Sequence, residues 1–178
     1  SNLKLSQFTI SSYIDYLIDS FLIERVHRFD VKGRKYIGTP MKYYFVDVGL
    51  RNARLNFRQQ EENHIMENII YNELLRRRYS VDLGGRRIIK KKKNKYVKKQ
   101  LEIDFIANKG DKRYYIQSAY EISNEEKIRQ ELQSFRNVDD SFKKIIIQRI
   151  PTKPWYNEQG VLYMSIMDFL LNPDSLEI

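Results

Sequence analysis

A mixed α/β fold, with helices flanking a central mixed sheet, is what this sequence predicts, and three observations carry the prediction. Residues 61–79, EENHIMENIIYNELLRRRY, repeat apolar side chains with the period of a helix. The following stretch to residue 122 is dense in β-formers and broken by Gly and Asn, which predicts a meander of three or four strands. After another helix-period segment, FKKIIIQRI carries a continuous apolar centre at Ile145, Ile146 and Ile147, the mark of a strand covered on both faces.

Taken in order, SQFTISSYIDYLIDSFLIERV opens with Ser and Thr as capping residues and sets Ile10, Tyr13, Ile14, Leu17 and Ile18 on one helical face. LIERVHRFD and YIGTPMKYYFVD then flank VKGRK, two strands around a basic, Gly-containing turn. A helix followed by a basic-tipped hairpin has the form of the last helix and wing of a winged-helix domain, here without its first helices. Such a piece is either a DNA-contacting helix and wing or a packing module between domains. DVGLRNARLNFRQQEEN has weak periodicity and reads as a linker with short helical turns, dividing the chain into a module of residues 1–58 and a domain of residues 59–178.

In the second domain the long helix places Ile65, Met66, Ile69, Ile70, Leu74 and Leu75 on one stripe, with acids in its first turn and arginines in its last, as the helix dipole favours. Glu67 and Glu73 lie beside that stripe. Each is either a boundary residue reaching water or a carboxylate aimed at a site. The strands YSVDLGG, RRIIKKKKNKYVKKQ, LEIDFIANKG and KRYYIQSAYEIS follow. NEEKIRQELQSFRNV returns to a helical period through Ile128, Leu132 and Phe135, with Ser123 or Asn124 as cap. Beyond the loop PTKPWYNEQG, the short strand VLYMS leads into a last helix, SIMDFLLN.

The 178 residues, 42% hydrophobic and 31% charged, suffice for one sizeable core with a small appended module. The absence of cysteine excludes disulfides and thiolate zinc sites, and His27 and His64 are too few and too far apart for an imidazole-rich cage. Any metal is therefore expected to be a hard cation on oxygen ligands, with Mg²⁺ the fitting choice. No apolar run approaches the roughly 20 residues of a membrane span, and Ser1-Asn2 reads as a cloning remnant and not a signal peptide, so a cytoplasmic location without a membrane partner is expected. Net charge is +9, and nine of the fifteen residues in 86–100 are Lys or Arg. Lys90, Lys91, Lys92, Lys93, Lys95, Lys98 and Lys99 are either DNA contacts or the solvated guard of an edge strand.

The chemistry concentrates in LEIDFIANKGDKRYYIQSAYEI, residues 101–122. Strand alternation predicts that Glu102, Asp104 and Ile106 share one face, and that Gln117, Ala119 and Glu121 share one on the next strand. A turn near Gly110 then brings Asp104 close to Gln117. Oxygens gathered in this way could hold Mg²⁺, activate water and stabilise a phosphoryl transition state.

Glu67 in a helix, EID at 102–104 and QSAYE at 117–121 together resemble the helix-Glu, Asp and Glu/Gln-x-Lys series of the PD-(D/E)XK nuclease-like fold. More closely, TISSYIDYL, KYYFVDVGLRNA, ENIIYNEL, EIDFIA and YYIQSAYEI look like the C-terminal region of a prokaryotic, bacterial-type family of AAA-type ATPases, a region often labelled a domain of unknown function. The resemblance implies a nuclease-like core preceded by a partial winged-helix module, as the tail of a longer protein whose ATP-binding domain would be a partner in the same chain. No Gly-x-x-x-x-Gly-Lys-Ser/Thr loop occurs, so no ATPase activity is expected of these residues. Carried over residue by residue, Glu67 matches the helix acid and Asp104 the metal-binding acid, while Gln117 stands where Glu is usual. Ala119 stands where the motif has Lys, so the cation that stabilises the transition state is missing.

Four readings stay open. The domain is a Mg²⁺-dependent endonuclease with Asp104 and Gln117 as ligands, a non-catalytic module that binds DNA or a partner and requires no cofactor, an oligomerisation platform for the ATPase, or a fold in which Glu67, Asp104 and Gln117 merely organise a polar core. Glu102 and Glu121 are further candidates, Glu121 as a substitute acid, and a lysine from residues 90–99 could swing into the cluster.

Overall fold

In the computed structural model, residues 6–58, 61–92, 95–122, 125–136, 138 and 140–178 are described, with the backbone alone at 39–40, 86–92, 95–101 and 125. The chain is a mixed α/β structure built on one eight-stranded sheet. Its strands are β1 (Ile23–Asp30), β2 (Lys35–Phe45), β3 (Ser80–Lys92), β4 (Lys95–Lys109), β5 (Lys112–Ala119), β6 (Lys143–Gln148), β7 (Trp155–Tyr156) and β8 (Val161–Ser165), in the order β2-β1-β3-β4-β5-β6-β8-β7. Pairs β1/β3, β5/β6 and β6/β8 are parallel and the rest antiparallel, so the sheet is mixed as its sequence predicts.

The helices are α1 (Gln7–Asp19), α2 (Val48–Arg54), α3 (Glu62–Arg76), α4 (Glu125–Phe135) and α5 (Ile166–Leu171), followed by a closing 3-10 turn at Ser175–Glu177. Side-chain caps start three of them: Ser6 Oγ accepts from Thr9 N–H, Asp47 from Leu50 N–H, and Ser165 from Asp168 N–H. α3 and α5 cover one face of the sheet, where Met66, Ile70, Leu74 and Phe169 pack on Phe105, Ile116, Ile145 and Ile147. The other face lies under α4, with Leu132 and Phe135 on Ile103, Ile106, Tyr115 and Ile146. The Ile145–Ile147 run is thus covered on both sides, each residue fully buried.

α3 buries a face turned slightly from its apolar stripe: Met66, Asn68, Ile70, Tyr71, Glu73 and Leu74 are inside, while Ile65 and Ile69 are half-buried. The reason is Asn68, whose amide pairs with both backbone groups of Phe45, accepting from its N–H at 2.9 Å and donating to its carbonyl at 2.8 Å. A buried amide that satisfies a strand terminus so fully contributes more than another Ile at that position. It also fixes β2 across α3, where the ring of Tyr44 stacks on that of Tyr71 at 4.4 Å.

Strict alternation does not hold along β4. Its register with β3 runs Asp82↔Ile106 and then Gly84↔Ile103, two steps on β3 against three on β4, which is a β-bulge. Ile103 and Ile106 therefore both face α4, while Phe105 and Ala107 face α3. The expected grouping of Glu102, Asp104 and Ile106 on one face is corrected by that extra residue, because a bulge resets the pleat. Gly84 makes the close approach possible: a Cβ there would lie 2.7 Å from Ile103 Cβ. Gly84→Ala is expected to cost about 1–3 kcal/mol through overpacking, read as a lower urea midpoint. Gly38→Ala, in open space, is the control and should change stability by no more than about 0.5 kcal/mol.

Among the described residues no helix is long and apolar enough to cross a membrane.

Candidate functional site

Ladder pairing between β4 and β5 stops at Phe105↔Ile116, and the Asp104 side chain sits just past that point. Its Oδ2 accepts the Ser118 N–H at 2.9 Å, while its own N–H donates a longer bond, 3.4 Å, to Gln117 Oε1. The turn lies at Gly110, with φ of +61°, where glycine is favoured. Asp104 and Gln117 are thus brought together as the hairpin predicts.

Glu67 reaches the same place from α3 by way of a lysine. Lys42 of β2 donates to Glu67 Oε1 at 2.7 Å and lies 3.6 Å from Asp104 Oδ1, so one ammonium bridges both carboxylates. Tyr44, two residues on and therefore on the same strand face, donates its hydroxyl to the same Glu67 oxygen at 2.5 Å. The Asn68–Phe45 clamp sets this register, since it holds the end of β2 against α3 one residue past Glu67. Neither Lys42 nor Tyr44 is singled out by the sequence. Both sit in a strand whose alternation, KYYF, is legible, but which helix that strand will face is not.

On the far side of the β5 backbone Gln117 turns toward α4, where its amide hydrogen-bonds Glu131. This accounts for the amide at 117. The residue must accept from Asp104 N–H and donate to a carboxylate, which Gln does and an ionised Glu cannot. Glu131 is a further acid of the cluster that the helical period of α4 leaves unmarked.

The electrostatics follow from burial. Asp104, its side chain 12% exposed, is pushed up to about 7 by burial and by the charge of Glu67, against the opposing pull of Lys42 and the Ser118 N–H, with Glu131 adding to the rise. Burial raises Glu131 too, opposed by its hydrogen bond to Gln117 and by the charge of Lys127. For Lys42, burial disfavours the charge, yet Asp104 and Glu67 outweigh it and its pKa ends above the usual value. The Tyr44 hydroxyl is pushed far up by burial and by Glu67, and remains a donor.

The other candidates lie elsewhere. Glu102 pairs with buried Arg28, Nη1 to Oε1 2.8 Å. Glu121 is exposed and 3.9 Å from Lys127. Glu73 answers to Arg76 and Arg77 at the C-terminal end of α3. The side chains of Lys90, Lys91, Lys92, Lys95, Lys98 and Lys99, and Lys93 altogether, lie outside the described residues, as do the cap candidates Ser123 and Asn124. Backbone register pairs Arg86–Lys92 with Lys95–Leu101 as a two-stranded ribbon that extends past the strands' contacts with β1 and β5.

Beside the bridge lies an open cavity of about 320 Å³, lined by Lys42, Tyr44, Arg51, His64, Glu67 and Asn68 among others. His64 Nδ1 is 4.0 Å from Glu67 and Nε2 3.2 Å from Glu61. Two larger cavities, about 510 and 570 Å³, share no lining residue with it. Among the described residues no group of three or more His, Asp or Glu side chains is placed to hold a metal ion.

The family described as Domain of unknown function (DUF8612) matches residues 1–61, which include α1, the β1–β2 hairpin and α2. Over 169 residues the chain is 36% identical to an uncharacterized protein of Haemophilus influenzae, covering 93% of this chain and 38% of that protein. It is 27% identical over 169 residues to an uncharacterized protein of Methanocaldococcus jannaschii, covering 94% of this chain and 34% of the relative. The chain thus spans little more than a third of the length of these relatives. No solved structure matches it.

Proposed function

We propose that this chain is a nuclease-like, non-catalytic binding module for DNA or a protein partner, belonging to a longer polypeptide of the AAA-type ATPase kind. Its first 58 residues serve as a partial winged helix and residues 59–178 as a PD-(D/E)XK-like domain. The observation that carries the reading is Lys42 between Glu67 and Asp104. A divalent ion shared by those two acids would have to occupy the space the ammonium holds, and the ammonium already compensates their charge. Gln117, engaged by Glu131, offers only a neutral oxygen. The +9 net charge and the lysine-rich β3–β4 ribbon supply an electrostatic footprint for nucleic acid, since a two-stranded ribbon fits the major groove.

Plasmid relaxation and DNA binding test the proposal together. The expected result is no nicking in Mg²⁺ or Mn²⁺, with duplex binding that weakens as salt rises and has a shallower salt slope once Lys90–Lys93 are changed to Gln. DNA binding that is absent, or indifferent to salt, would assign the module to a protein partner.

One observation favours a second reading, a Mg²⁺-dependent endonuclease. Lys42 brings from β2 the cation that Ala119 lacks on β5, and a cation beside the acids is what phosphoryl transfer uses. Divalent-dependent nicking that disappears in both Asp104→Ala and Lys42→Met would establish this reading and remove the first.

A further inference from the structure

The apolar face that the sequence writes into α1 is left in the open. No residue of α1 is buried. Ile14 and Ile18 are half-covered, but Ile10, Tyr13 and Leu17, at helical spacing, face solvent, as do Phe8, Tyr16 and Phe21. Phe8 is 81% exposed, Tyr13 57%, Tyr16 63% and Phe21 76%. At roughly 200 Å² per aromatic side chain Tyr13 and Tyr16 present about 240 Å² on this side of the helix, before Ile10 and Leu17 are added. Contiguous apolar patches of a few hundred Å² are often interaction surfaces.

We propose that this stripe is the docking face for an apolar-faced helical segment of a longer polypeptide, drawn from the kind of additional chain that the relatives possess. Three observations select that occupant. First, both relatives extend well beyond the matched 169 residues, which form 38% and 34% of their lengths. Second, α1 carries Asp15 and Asp19 and no basic residue, and Asp15 is tied to Arg25. A second copy laid against it would bring the acids of two α1 helices together, whereas an unlike helix with a basic flank is complementary to them. Third, α1 is itself firmly built, capped by Ser6 at its start and closed by the Phe21 and Leu22 N–H bonds to Ile18 and Leu17. The apolar face is thus preformed before any partner arrives. The argument uses neither the acid cluster nor the basic ribbon, so it stands or falls apart from the nuclease-like reading.

Hydrogen–deuterium exchange on the intact Haemophilus influenzae relative, read on the helix aligned with Tyr13–Leu17 and compared with the 178-residue chain, tests the proposal. Protection of those amides is expected to be at least about tenfold greater in the intact relative, and unchanged on about a hundredfold dilution. Glu at both positions aligned with Tyr13 and Leu17 is expected to abolish the added protection. In the 178-residue chain, Tyr13→Glu with Leu17→Glu is expected to leave Tm within about 3 °C, because both side chains already stand in water. Equal exchange in the two proteins would overturn the proposal. So would protection that fades on dilution, which assigns the face to a second copy, or unfolding of the doubly substituted chain, which makes the stripe part of its own core.

Discussion

Asp104→Asn is expected to remove a loss of stability that the unsubstituted chain suffers as pH rises from about 4 to about 7. The carboxyl stands near 3.8 in an unfolded chain and is pushed up to about 7 in the fold, first by burial and then by Glu67. Between those values the native state holds a proton that the unfolded state has released, so the slope of stability with pH is negative. The favourable contribution is complete below about 4 and is lost as pH climbs through about 7. At about 1.4 kcal/mol per pKa unit the ceiling is about 4 kcal/mol, and about 2–4 kcal/mol is the expected fall. Asn keeps an oxygen for the Ser118 N–H and leaves Lys42 its bond to Glu67. Glu131 and Asp82, also raised by burial, tilt the profile the same way. Glu73 and Glu177, lowered, act in the opposite sense at more acid pH. The test is therefore the difference between the two proteins' urea midpoints at pH 4, 5.5, 7 and 8. Parallel profiles would show that Asp104 is ionised throughout and that Lys42 alone governs its charge.

The architecture was largely legible because it rests on period. The 3.6-residue repeat of α3, the triple Ile of β6 and the Ser165 start of α5 each appear in the structure close to where the sequence places them. What period cannot supply is register between distant elements. The bulge that turns Asp104 out of the expected alternation depends on Gly84 meeting Ile103 across the ladder, and GG in the sequence signals only a break. Lys42 and Tyr44 lie 25 and 23 residues from the acid they bind. They arrive through a buried Asn on a helix whose stripe is written in Ile and Leu. For the same reason the sequence points to residues 90–99 for the cation absent at Ala119, while the one beside Asp104 comes from β2. Gln117 and Glu131 are intelligible only as a pair, an amide facing a carboxylate, and their 14-residue separation crosses from a strand to a helix.

Arg77→Ala is expected to destabilise the chain by about 2–3 kcal/mol, through the loss of a nearly buried guanidinium and its hydrogen bonds, while Arg76 continues to hold Glu73. Its side chain is only 6% exposed and lies over the Phe169 ring at 4.5 Å. Nε donates to Glu73 at 2.6 Å, and the two terminal nitrogens reach the carbonyls of Phe169 and Pro173 and the hydroxyl of Ser175. One guanidinium therefore ties the last turn of α3 to α5 and to the closing 3-10 turn. Lysine cannot repeat that fork, so Arg77→Lys should recover little of the loss. Arg76 binds Glu73 from an exposed position, and Arg76→Ala should barely move the urea midpoint. Glu73 is held below the usual carboxylate range, where burial is outweighed by its bonds to Arg76 and Arg77. Its contribution is present above its unfolded pKa and is lost as pH falls through the depressed one, so the gap between Arg77→Ala and the unsubstituted chain should narrow in acid. The anchor also bears on the acid cluster, since Glu67 lies nearly three turns up the same helix. If Arg77 secures α3 to the C-terminal elements, its loss should weaken the Glu67–Lys42–Asp104 bridge and lessen the pH dependence assigned to Asp104. A full-strength pH profile in a destabilised Arg77→Ala protein would show instead that Asn68 and Phe45 hold α3 over the cluster on their own.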